Sequence, residues 1–128
     1  MISTDSPIAT VMRHTTVTVR LGSTLREVSE TLTREEVGAV VVKGHQPLAG
    51  IVSERDVVRA IAEGADPDVD RAEDVMTFDV VAAAPDESVA EVAQKMIDGG
   101  IRHMPVVQDG APVGIVSIRD LVAVAYGS

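Results

Sequence analysis

Apolar and polar positions alternate in TTVTV (15–19), near the start of the chain. Alternation puts every second side chain on one face and predicts a half-buried strand. Thr24-Leu25-Arg26-Glu27 follows. A hydroxyl residue three places before a glutamate predicts a helix start, because each side chain satisfies the other's free backbone N–H. Leu25, Val28 and Leu32 then recur at helical spacing. GAVVVK (38–43) and LAGIVS (48–53) read as two strands flanking a GHQP turn. A second helix starts after Ser53 and carries Val57, Val58 and Ile61. The predicted order is β-α-β-β-α.

The same order returns 64 residues later. DVVAA (79–83) predicts the strand, and Ser88-Val89-Ala90-Glu91 repeats the helix start. Val89, Val92 and Met96 line one helix face. HMPVV (103–107) and PVGIVS (112–117) flank Asp109-Gly110, a strong hairpin signal. Leu121, Val122, Val124 and Ala125 mark the last helix. GIVSERD (50–56) and GIVSIRD (114–120) differ at one letter. Val11-Met12 with Val75-Met76, Val17 with Val81, Glu27-Val28 with Glu91-Val92 and Val42 with Val106 keep one register without a gap. Such a pattern defines two copies of one unit. They span 8–63 and 72–128, with 64–71 as a polar linker. Each copy pairs an apolar sheet face with amphipathic helices, which predicts that the two sheets pack on each other.

Composition narrows the chemistry. Hydrophobic residues make up 45% of the 128 and aromatics only 2%, so the core must be aliphatic. A net charge of −9 disfavours a nucleic-acid or anionic-membrane surface, which needs a basic face. It leaves room for a small anion beside a few arginines. The absence of cysteine removes disulfides, thiolate catalysis and Cys-based metal sites. No apolar run approaches the ~20 residues of a membrane span. The opening MISTDSPIATVM lacks the pattern of a signal peptide, so a cytoplasmic protein is expected. His14, His45 and His103 have no metal-ligand spacing, and no P-loop, GxGxxG or GxSxG occurs. No enzyme is expected.

Two readings fit the serine and aspartate of the duplicated phrase. In one, Ser53 with Asp56 and Ser117 with Asp120 simply cap helices. In the other, the free N–H groups of the helix start attract an anion, and the aspartate accepts hydrogen bonds from a cis-diol. Gly50 and Gly114 would then let a ring approach the strand backbone. Arg55 and Arg119, in the same turns, either reach a phosphate or remain solvated. Pro105 has no N–H and leaves a neighbouring carbonyl without its ladder donor.

Taken together, Val11-Met12 and Val75-Met76, TLREV and SVAEV, IRHMPVV, GIVSERD and GIVSIRD carry a family pattern, which covers nearly the whole chain. The chain resembles a stand-alone tandem pair of CBS domains, modules named after cystathionine β-synthase. The resemblance implies an α+β fold of two β-α-β-β-α units packed sheet to sheet with pseudo-twofold symmetry, and a homodimer. It implies clefts that bind AMP, ADP, ATP or S-adenosylmethionine, with no cofactor required. Ser53 and Asp56, and Ser117 and Asp120, would hold ribose and phosphate. Thr16, Val17, Val80, Val81, Val41-Val42, Pro105 and Val106 would seat adenine. Arg102 and His103 would meet phosphates, although His103 also reads as a histidine bonded to a backbone carbonyl. Copy one has Gly38 and Ala39 there, so unequal clefts are expected. The output would pass to a separate effector protein. The alternative is a ligand-free dimerisation or interaction module.

Overall fold

The computed structural model describes residues 1–127. Among them the chain forms two compact units. One is Val17–Val80. The other is bipartite, joining Met1–Thr16 to the chain from Val81 onward. The compact units are thus cut differently from the sequence repeats.

The 17–80 unit holds β1 (Thr18–Arg20), α1 (Leu25–Glu35), β2 (Ala39–Lys43), β3 (Gly50–Ser53), α2 (Glu54–Ala62) and the short α3 (Ala72–Val75). β1 pairs parallel with β2, and β2 pairs antiparallel with β3. The first strand lies slightly later than the alternation at 15–19 predicts. α1 starts as the sequence predicts. The Glu27 N–H donates to the Thr24 hydroxyl at 3.1 Å, and the Thr24 N–H donates to Glu27 Oε1 at 2.9 Å. Val19, Val28, Leu32, Val40, Val42, Val52, Val57 and Ala72 form one aliphatic core. Ala72 comes from the second repeat, yet its N–H donates to the Ser23 carbonyl at 2.8 Å. Arg26 binds Asp68 with both ends of its guanidinium fork, and the Leu25 N–H bonds the Asp70 carbonyl. The predicted linker is therefore fastened onto α1.

The bipartite unit holds α4 (Val89–Gly99), β4 (His103–Gln108), β5 (Ala111–Ser117) and α5 (Ile118–Gly127), with a 3-10 turn at Ile8–Thr10. β4 and β5 form an antiparallel hairpin. Its turn residues Asp109 and Gly110 have φ of 53° and 81°, as an Asp-Gly hairpin requires. Ile8 and Met12 join Val89, Val92, Met96, Met104, Val106, Val116 and Leu121 in the core. Backbone bonds from Ile8 to Glu87 (2.7 Å) and from Val89 to Ser6 (2.9 Å) hold the N-terminal segment there.

The strand expected over 79–83 is not formed. Only Ala83 makes a parallel bridge, to Val106. In the 17–80 unit, the Val41 N–H donates to the Val17 carbonyl at 2.9 Å. The equivalent donor in the other copy is Pro105, which has no N–H. Pairing at Val81 therefore fails, and the strand shrinks to the one residue beyond the gap that retains its bonds.

Candidate functional site

Each β-strand that ends a copy runs directly into a helix, and the turn is closed by its own serine and aspartate. In β3–α2 the Ser53 N–H donates to Asp56 Oδ2 at 2.8 Å, and the Asp56 N–H donates to the Ser53 hydroxyl at 3.2 Å. In β5–α5 the same bonds link Ser117 and Asp120 at 2.9 and 3.2 Å. Both pairs are half-buried, and Arg55 and Arg119 between them are exposed. The capping reading of these residues is realised in both copies. Each cap engages Oδ2, one of two carboxylate oxygens, and a carboxylate accepts more than one donor.

The strands place further groups beside these turns. The Glu54 N–H donates to the Gly38 carbonyl at 2.9 Å, and the Ile118 N–H donates to the Arg102 carbonyl at 2.8 Å. β4 and β5 set His103 opposite Ser117. In the bipartite unit, Arg102, His103, Ser117, Arg119 and Asp120 thus gather at one end of the hairpin. In the 17–80 unit the matching turn has only Ala39 opposite Ser53. The two turns share the cap and its exposed arginine, and differ in Arg102 and the His103 imidazole, where the other copy has Gly38 and Ala39.

Pro105 and Val106 are buried along β4, opposite Ile115 and Gly114, two and three residues beyond His103. Thr16, Val17, Val80 and Val81 mark the places where the chain passes between its compact units. Thr16 and Val81 belong to the bipartite unit, and Val17 and Val80 to the other. The carbonyl of Val17 is taken by the sheet. Val81 is exposed, and Pro105 stands where the other copy has the donor Val41.

The glycines of GIVS have a different role from the one the sequence invites. A Cβ built on Gly50 would lie 2.5 Å from the Met76 sulfur and 2.8 Å from the Thr77 carbonyl oxygen. One on Gly114 would lie 2.5 Å from both the Met12 sulfur and the Arg13 carbonyl oxygen. The space at these strands is filled by the protein's own Val-Met segments, not kept for a ligand ring. The sequence gives no local signal of this, since each methionine packs on the glycine of the other repeat, Met76 on Gly50 and Met12 on Gly114.

The site's architecture has counterparts among known proteins. The family model for the CBS domain matches residues 8–63 and 72–127. The uncharacterized protein MJ1225 of Methanocaldococcus jannaschii is 33% identical over 119 residues, 92% of this chain and 42% of the relative. The chain spans 42% to 61% of the first curated relatives it matches. An uncharacterized conserved protein from Pyrococcus horikoshii has a similar crystal structure, with a TM-score of 0.90 and 25% identity over 98% of this chain and 96% of that one. The CBS domain pair of protein MJ0100, solved with 5′-methylthioadenosine and S-adenosyl-L-methionine, superposes with a TM-score of 0.87 and 27% identity, over 95% and 97% of the two chains. Two matches in tandem, on a duplicated α+β framework with two Ser-x-x-Asp turns, make this chain a member of the CBS-domain family.

Proposed function

We propose that this CBS pair is a non-catalytic regulatory module. It binds an adenosine-containing ligand (AMP, ADP, ATP or S-adenosylmethionine) and signals ligand state to a separate effector protein. The observation that carries this reading is the duplicated turn in which a serine and an aspartate share a helix start. An N-terminal turn of this kind attracts phosphate, and a fixed carboxylate accepts from ribose hydroxyls. The adenosine compounds bound by the MJ0100 pair support the same ligand class.

In this reading Asp56 and Asp120 take the ribose, with Ser53 and Ser117 beside it. Arg55, Arg119, Arg102 and His103 serve phosphates. Thr16, Val17, Val80, Val81, Pro105 and Val106 seat the base. The repeats 8–63 and 72–128 act as the two domains; Ser128 lies outside the described residues. Unequal occupancy follows from the copies' different groups. One has Arg102, His103 and a proline-freed carbonyl, whereas the other has Gly38, Ala39 and an engaged Val17 carbonyl. Homodimerisation is supported by exposed Val58 and Ile61 on α2 and Val122 and Tyr126 on α5. Signalling requires that the ligand favour one arrangement of the module over another.

Isothermal calorimetry of the full chain with the four ligands tests the reading. Binding by at least one is expected, with about tenfold or greater weakening in Asp56→Asn or Asp120→Asn, since a lost hydrogen bond to a charged group is worth about 1.5–3 kcal/mol. Asparagine keeps an acceptor for the cap, so folding and binding separate. Heat from none of the four overturns the reading. A second reading then stands, that of an interaction module, and the caps favour it because they account for Ser53, Asp56, Ser117 and Asp120 unaided.

A further inference from the structure

We propose that Met76 is a peroxide-sensitive latch on the strand that leads into the Ser53–Asp56 turn. The chain has no cysteine, so its oxidisable sulfur is methionine. Met1 is fully exposed at the start of the chain, Met96 and Met104 are 1% and 0% exposed in the core, and Met12 is 8% exposed. Met76 is half-buried, and its sulfur rests where a Gly50 side chain would otherwise stand. Among the methionines that pack on the strands, Met76 is thus the one with a partly exposed side, and its sulfur is tightly placed.

The backbone beside that sulfur is a mutual pair. The Ile51 N–H donates to the Thr77 carbonyl, and the Thr77 N–H donates to the Ile51 carbonyl, both at 3.0 Å. This bridge is the outer edge of β3, two residues before Ser53. Hydrogen peroxide oxidises a thioether by direct oxygen transfer. The sulfur lone pair attacks one peroxide oxygen, the O–O bond breaks, an S=O bond forms and water leaves. Sulfur is oxidised by two electrons and the peroxide is reduced by two. The product is polar and accepts hydrogen bonds.

The Met76 sulfur and the Thr77 carbonyl oxygen both crowd the position of a Gly50 Cβ, so an oxygen added on that side stands beside an acceptor and beside N–H donors already engaged by the bridge. Accommodation requires the sulfoxide to take a donor from the bridge or to swing away from Gly50. Either movement uncovers Gly50 or unpairs Ile51. The repeat supplies its own control, because Met12 makes the same contact with Gly114 from a buried position.

The test uses no ligand, so its outcome is independent of the nucleotide reading. The full chain is treated with limiting hydrogen peroxide, sulfoxide is mapped by peptide mass spectrometry, and amide exchange is followed across Gly50–Ser53 and Gly114–Ser117. Met76 is expected to oxidise well before Met12, Met96 and Met104. Exchange at Ile51 should then rise about tenfold, with Ile115 unchanged. Met76→Leu, which preserves volume, should abolish the rise. Oxidation of Met76 no faster than that of Met104, or sulfoxide formation with Ile51 exchange unaltered, overturns the proposal.

Discussion

Glu27 sits in the first turn of α1 and accepts from the Thr24 N–H and hydroxyl, at 2.9 and 3.0 Å. These bonds favour the carboxylate, so its pKa lies below the usual glutamate value, the backbone bond contributing most. A lowered folded-state pKa stabilises the fold above the unfolded value. That contribution disappears as pH falls through the folded value. Thermal midpoints should therefore drop as wild type is acidified below about pH 4, while Glu27→Gln should show a shallower drop in the same range. Gln keeps the cap bond but does not titrate. Equal slopes in the two proteins would show that the bond carries no net linkage. At this scale the sequence was informative wherever two residues of one motif act on each other. Both capping boxes and both Ser-x-x-Asp turns form as expected, because the partners lie three residues apart. Gly50 and Gly114 misled because their partners, Met76 and Met12, are distant in sequence and lie in the other repeat.

At the scale of elements, the copies diverge where a single backbone requirement changes. α1 ends on Glu36 in the left-handed region at φ 53°, and α4 ends on Gly100 at φ 62°. A side chain is strained there, and glycine is not. Glu36→Gly should stabilise the chain by about 1 kcal/mol in urea unfolding. A loss of stability would mean that the added flexibility of the unfolded chain outweighs the relieved strain. The missing strand at 79–83 has an equally local cause with a non-local reach. DVVAA is apolar throughout after Asp79, but a parallel strand depends on the donors of its neighbour. Pro105 withholds one of them, and no periodicity at 79–83 records that.

The molecule as a whole is built from 17–80 and from 1–16 with 81 onward. Periodicity located the helices and most strands, and the constant register located the repeats. Neither shows which body a leading segment joins, because similarity records descent and packing records contact. Deleting residues 1–12 should therefore weaken the second repeat. Ile8 and Met12 leave its core, together with the bonds to Glu87 and Ser6. Amide exchange should quicken across α4, β4 and β5 while β2 and β3 keep their protection. Faster exchange confined to β2 and β3 would contradict the division into these units. The reciprocal arrangement also bears on dissection. The leader of each repeat completes the body of the other, so cutting the chain between its repeats parts each leader from the core it fills.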